Sequence, residues 1–241
     1  MERKSVQQKI EIRREGLRGI LLLPTSGSPH GLLTMLHGAG EPPETLLENF
    51  DMESAVENHN MALLLPDLGN SFCLDQRGGL GVRSALLSGL LPGVQAEYRL
   101  SGARQANVVG GISMGGFAAL SLALCESEHF CAAFSLSGAL DLKKAAQLLR
   151  ICSLTVPDGL REASWLRECA LTRRLDDCPD KPSLYLVWGD EDWFRESNRV
   201  FSEKAAANGF AIRATESPGL HDWVFWKNEL GPAIRWAAET I

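Results

Sequence analysis

Residues 107–118 read Asn-Val-Val-Gly-Gly-Ile-Ser-Met-Gly-Gly-Phe-Ala, which sets Ser113 between Gly111 and Gly115. A short apolar run leads into the serine and a small-residue helical pattern leads out. This is the strand–turn–helix setting in which G-x-S-x-G carries a nucleophilic serine. A side chain on so sharp a turn needs small neighbours two residues to either side, and the two glycines supply them. Ser113 is then expected at the carboxyl end of a sheet, near the positive end of a helix dipole. An alcohol is a weak nucleophile at neutral pH, so the motif demands a base within reach and an acid behind it.

In chains with this turn the order is serine, acid, histidine. Of the five histidines, His30, His37 and His59 precede Ser113, and His129 falls at the end of the helix that the serine turn starts. His221 remains, in Ser217-Pro218-Gly219-Leu220-His221-Asp222-Trp223, between a strand pattern and the last helix pattern. The acid is expected where the apolar run 183–188 ends in Gly189-Asp190-Glu191-Asp192. Asp192 is the preferred acid, at the end of a G-x-x-D turn. Asp190 is the alternative, though a residue there more often caps the turn. A second apolar strand, 32–36, runs into His37-Gly38-Ala39-Gly40. The N–H groups of Ala39 and Met114 are expected to face a carbonyl oxygen bonded above Ser113, a contribution of about 3–4 kcal/mol each in an oxyanion hole. His37 reads as a brace for this loop rather than a catalyst.

Other signals read as structural. Gly78-Gly79-x-Gly81 lacks the Lys-Ser/Thr ending of a phosphate loop. Arg77 reads as an ion-pair residue, and Arg161, Arg167, Arg173 and Arg174 as a solvated face. Trp193, Trp223, Phe225 and Trp226 flank the acid and the base; most are expected in the core, with one or two walling a pocket. The six cysteines show no C-x-x-C pair and no zinc spacing. They read as reduced thiols, Cys125 and Cys131 in the core, with a disulfide among Cys152, Cys169 and Cys178 as the alternative.

The elements that must position these residues alternate. Strands are expected near 6–13, 17–23, 32–36, 61–65, 106–110, 131–136, 184–188 and 210–215, the first two as an antiparallel hairpin. Helices fit 44–58, 80–98, 115–127, 194–208 and 222–240, with Asn208-Gly209 as a stop and Gly231-Pro232 as a kink or restart. The alternation predicts an α/β fold, a mostly parallel central sheet flanked by helices. Residues 141–180 break the rhythm with two helical stretches, 142–150 and 160–171, and read as a small helical cap over the strand ends. At 241 residues, 45% hydrophobic and 22% charged, the chain fits one domain over 1–241. A net charge of −6 argues against nucleic acid or an anionic membrane as partner. No apolar run is long enough to span a bilayer, and Met1–Gln8 lacks the apolar core of a signal peptide, so the expected location is cytoplasmic. The oligomeric state is open, a homodimer included.

Four stretches resemble the esterase D branch of the α/β-hydrolases, near the tributyrin-esterase-like and S-formylglutathione-hydrolase-like proteins. They are Leu36-His37-Gly38, Gly111–Gly116, Trp188–Asp192 and Pro218–Trp223, with a weaker echo at Asn70–Asp75. A further echo is Leu90-Leu91-Pro92, where Gly89 replaces the family's glutamate. The resemblance implies an α/β-hydrolase fold and a serine esterase for small-molecule, short-chain acyl esters, with no cofactor and no metal. Thioester hydrolysis of the S-formylglutathione type and acyl transfer are its alternatives. A non-catalytic ligand-binding module on the same scaffold is the reading from a different class, though an intact Ser-Asp-His order speaks against it.

Overall fold

The structure, a computed structural model, describes residues 8–25, 27–75, 81–162, 166 and 169–241. Eight strands form one sheet in the order β1-β2-β4-β3-β5-β6-β7-β8. They are β1 (Gln8–Arg14), β2 (Leu17–Leu23), β3 (Gly31–Leu36), β4 (Met61–Pro66), β5 (Asn107–Ile112), β6 (Ala132–Leu136), β7 (Ser183–Gly189) and β8 (Ile212–Ser217). The hairpin β1–β2 joins antiparallel along β4, and every pairing from β4 through β8 is parallel. The strands β3, β4, β5 and β6 are buried along their whole length. That is why their sequences are continuous apolar runs rather than alternating ones.

Helices cover both faces. On one face lie α1 (Glu44–Asn49), α2 (Met52–His59) and the C-terminal helix α9 (Trp223–Thr240). On the other lie α3 (Val82–Ala85), which passes through a π-helical stretch (Leu86–Leu90) into α4 (Leu91–Glu97), then α5 (Met114–Cys125), α6 (Leu142–Ile151), α7 (Leu171–Asp177) and α8 (Arg195–Ala207). Helix α5 is buried on nearly every side, since it packs on β5 and β6 beneath and against α7 above. Its lack of a polar face follows from that position.

The sheet order reverses between β3 and β5, so the loops at their carboxyl ends leave to opposite faces and open a crevice. The turn after β3 and the Ser113 turn both lie at that point.

Several expectations need correction. The stretch 44–58 is two helices rather than one, because Asp51 caps the second by accepting from the Ser54 N–H at 3.0 Å. The start of the helix expected over 160–171 is a 3₁₀ turn, Asp158–Arg161, and α7 begins where that helix was to end; residues 163–165, 167 and 168 between them lie outside the described residues. Helix α9 runs through Pro232 without restarting. No disulfide joins residues 152, 169 and 178. The buried thiols are Cys73 and Cys178, with Cys125 and Cys131 only part-buried; burial pushes the Cys73 thiol up to about 12. Residues 6–7, Arg77, Gly78-Gly79 and Arg167 lie outside the described residues. Arg161, Arg173 and Arg174 are exposed, as a solvated face requires.

Candidate active site

Ser113 sits at φ 55°, ψ −113°, a strained conformation for a residue with a Cβ. Backbone contacts hold it there. Its N–H donates to the Leu136 carbonyl at 2.9 Å, and its own carbonyl accepts from Ala139 at 2.9 Å and Phe117 at 3.1 Å. The flanking glycines answer two separate contacts. A Cβ on Gly111 would lie 2.2 Å from the Gly115 carbonyl oxygen, and one on Gly115 would lie 2.1 Å from that of Leu36. Glycine at 111 lets the turn close on itself, and glycine at 115 lets the start of α5 press against the end of β3.

The structure brings Ser113, His221 and Asp192 into one line. His221 Nε2 is 2.9 Å from Ser113 Oγ, and its Nδ1 lies 3.1 and 3.0 Å from the two oxygens of Asp192. With Nδ1–H donated to the carboxylate, Nε2 is left to accept the serine proton. Asp192 is buried, and its Oδ1 also accepts from the Phe194 N–H at 2.6 Å. The alternative acid, Asp190, has a different task. Its Oδ1 accepts from the Gly219 N–H at 3.0 Å and braces the loop that carries His221. Aromatic rings enclose the imidazole. Trp193 stacks on it at 5.0 Å, while Phe194 and Trp226 meet it edge-on at 5.3 and 5.0 Å. Of the four aromatics noted in the sequence, Trp193 and Trp226 wall the pocket; Phe225 is core, and Trp223 is half-buried.

Ala39 and Met114 line the same cavity as Ser113, about 210 Å³ in volume. Among the described residues, neither N–H is taken by a backbone or side-chain acceptor. The rest of the wall is mainly apolar, with Phe72 and, from the segment after β6, Leu148, Leu149 and Leu154. His37 braces the Ala39 turn. Its Nδ1 donates to the Gly38 carbonyl at 2.8 Å, and its Nε2 accepts from the Leu68 N–H at 2.9 Å. A ring that both donates and accepts in this way is neutral. Burial lowers its pKa below the usual histidine value, which favours the same form.

Three polar residues at the site carry no local motif. Asn70 Oδ1 accepts from the Gly40 N–H at 2.7 Å. Asn198, fully buried on α8, donates to the carbonyls of Gly138 at 2.8 Å and Phe194 at 3.0 Å, linking the loops after β6 and β7. Glu41, in the pocket wall, accepts from Trp223 Nε1 at 2.8 Å. Burial pushes its carboxyl above the usual range, against the opposing pulls of the Trp223 hydrogen bond, the Gly38 backbone and His221. The sequence signal for Asn198 is an asparagine on the apolar face of an amphipathic helix. Asn70 opens the Asn70–Asp75 stretch noted above, which marks no partner for it, and Glu41 sits in a loop and gives no signal.

Among the described residues, no helix is long and apolar enough to cross a membrane. The chain is 24% identical over 229 residues to an acetyl esterase of Caldicellulosiruptor saccharolyticus, covering 86% of this chain and 83% of that one. It is 28% identical over 235 residues to Esterase Rv1288 of Mycobacterium tuberculosis, covering 83% of this chain but only 51% of that longer protein. The S-formylglutathione hydrolase FrmB of Staphylococcus aureus superposes with a TM-score of 0.78 at 20% identity, over 97% of this chain and 100% of that one, so the two share the α/β-hydrolase fold. The model of the Esterase family, described as "Putative esterase", matches residues 82–237. That match takes in Ser113, Asp192 and His221, and the chain belongs to this esterase family.

Proposed function

We propose that the chain hydrolyses short-chain carboxylic esters through Ser113, His221 and Asp192. The observation that carries this reading is the continuous hydrogen-bonded line from Ser113 Oγ through His221 to Asp192, at the floor of a mainly apolar cavity. In the first half-reaction Ser113 Oγ attacks the ester carbonyl while His221 Nε2 takes its proton. Asp192 holds the imidazole in the tautomer with Nδ1–H and stabilises the imidazolium. The uncommitted N–H groups of Ala39 and Met114 receive the negative charge that develops on the carbonyl oxygen. His221 protonates the leaving alcohol as the tetrahedral intermediate collapses. Water then enters, gives its proton to His221, and releases the acid by the same route in reverse.

The segment 141–180 acts as the cap of a domain spanning 1–241. Helix α6 turns an apolar stripe (Leu142, Ala145, Ala146, Leu149) inward, and Leu154 reaches the Ala39 turn, where it would meet a Cβ on Gly40 at 2.9 Å. A cavity of about 210 Å³ is small for a ligand site and suits acetyl to butyryl groups. The net charge of −6 and cysteines without disulfides fit a cytoplasmic protein acting on small molecules.

The test is hydrolysis of p-nitrophenyl acetate, butyrate and octanoate by wild type and Ser113→Ala in parallel. The expected result is activity falling from short to long chains in wild type and a loss of about 10⁶-fold in kcat in the variant. Wild type inert toward all three and unreactive toward a fluorophosphonate would instead indicate a binding module.

A further inference from the structure

Glu41 is out of place in this cavity on simple electrostatic grounds. Its neighbours are mainly apolar, and it stands two residues beyond Ala39, whose N–H is proposed to receive a developing negative charge. A carboxylate there works against that charge, and burying it costs stability. The costs call for a compensating role. Substrate binding does not supply one, because neither oxygen is open to a ligand. Oε1 is taken by Trp223 Nε1, and Oε2 is buried against Gly38, where an added Cβ would sit 3.1 Å from it.

What Glu41 does is join two segments by a side-chain hydrogen bond. One is the turn after β3. The other is the start of α9, immediately after His221, where Asp222 caps the helix by accepting from the Phe225 N–H at 3.0 Å. Trp223 meets Trp226 edge-on at 5.4 Å, and Trp226 in turn meets His221 at 5.0 Å. The path from the Ala39 turn to the imidazole therefore runs Glu41, Trp223, Trp226, His221, with a contact at each step. We infer that Glu41 is a positioning residue for ester hydrolysis, fastening the turn that bears the Ala39 amide to the loop that bears His221. The inference rests on the proposed roles of Ala39 and His221. Its physical content is that an oxyanion donor and a general base must keep a fixed separation, since misplacement by about 1 Å costs on the order of 100-fold in rate.

Three single variants and one double variant test this. Glu41→Gln keeps an oxygen for the indole N–H and loses the charge. It should hold kcat within about threefold of wild type. Glu41→Ala and Trp223→Phe cut the link from either end. Each should lower kcat about tenfold with KM for p-nitrophenyl acetate within about twofold, and the double variant should be no worse than the singles. Amide hydrogen exchange should speed up together at residues 38–41 and 221–223 in both cut variants and stay at wild-type rates in Glu41→Gln. Losses that multiply in the double variant, or kcat within about twofold of wild type in either single, overturn the inference. If Glu41→Ala fails to fold, Trp223→Phe and Glu41→Gln carry the same decision. Wild type inert toward esters and fluorophosphonate sinks the esterase reading and this role together; active wild type with multiplying losses sinks this role alone.

Discussion

The two walls of the crevice between β3 and β5 are built by different means. On the Ser113 side, position is set almost wholly by backbone. A strained turn is locked by three main-chain hydrogen bonds and by glycines with no room for a Cβ. On the facing side, backbone bonds from Asp190 to Ser217 and from Glu191 to Gly219 are joined by several side chains from elsewhere in the chain: His37 on Gly38 and Leu68, Asn70 on Gly40, Glu41 on Trp223, Asp190 on Gly219. A backbone-built wall has few ways to yield and fails abruptly when its geometry is violated. A side-chain-built wall distributes its support and loses it in increments. The group that must not move, the attacking oxygen, stands on the first kind. The groups that must accommodate a developing charge and a travelling proton stand on the second.

The harshest test of that contrast is Gly115→Ala. The added methyl would lie 2.1 Å from the Leu36 carbonyl oxygen, a collision with backbone that no side-chain rotation relieves. The expected outcome is a loss of more than about 3 kcal/mol of stability in denaturant titration, or no folded protein. A variant that folds with wild-type stability would show that the serine wall is as pliable as the other.

The paired carboxylates give a graded comparison. Asp192→Asn leaves the shape of the site but removes the charge that holds the Nδ1–H tautomer. In the proposed mechanism kcat then falls about 10⁴-fold. Asp190→Ala removes one hydrogen bond at an exposed position, worth about 1 kcal/mol, and should lower kcat about fivefold. Equal losses from the two would mean that the His221 loop, and not the acid itself, limits the reaction.

The same division explains what could be read from the sequence. Gly111-x-Ser113-x-Gly115 is legible because a backbone-built turn writes its steric demands within five residues. The strands were legible because a parallel sheet buried on both faces needs unbroken apolar runs. Asp192 and His221 could be picked as candidates from their place after β7 and β8. Glu41, Asn70 and Asn198 could not be given roles, since their partners lie 182, 30 and 60 residues away and no local pattern encodes the pairing. The break at Asp51 was missed because a single capping side chain interrupts an otherwise helical periodicity. The segment 141–180 was legible as a disturbance in rhythm, and its first helical stretch, 142–150, is α6 (Leu142–Ile151). The 3₁₀ turn at Asp158–Arg161 and the seven-residue α7 are too short to impose a period of their own.

The mildest test concerns His37, the brace that works by being neutral. Burial is the main reason its pKa falls below 6.5, offset in part by its hydrogen bond to Gly38. The folded state therefore binds fewer protons at this ring than the unfolded chain does once pH drops below the ordinary histidine value. Stability contributed by neutral His37 is fully present above pH 6.5 and is lost as pH falls toward its depressed value. His37→Gln, which offers an amide donor and acceptor without a proton to gain, should flatten this acid-side slope. The measurement is Tm between pH 7.5 and 5 for both proteins. The expected difference is a few degrees at the acid end, small beside the glycine and carboxylate effects. Protonation would also take Nε2 away from the Leu68 N–H and loosen the Ala39 turn. Activity should therefore decline reversibly before the protein unfolds, as a wall held by side chains would yield. Parallel slopes for the two proteins would place the acid sensitivity elsewhere and leave the Ala39 turn as firmly set as the serine turn it faces.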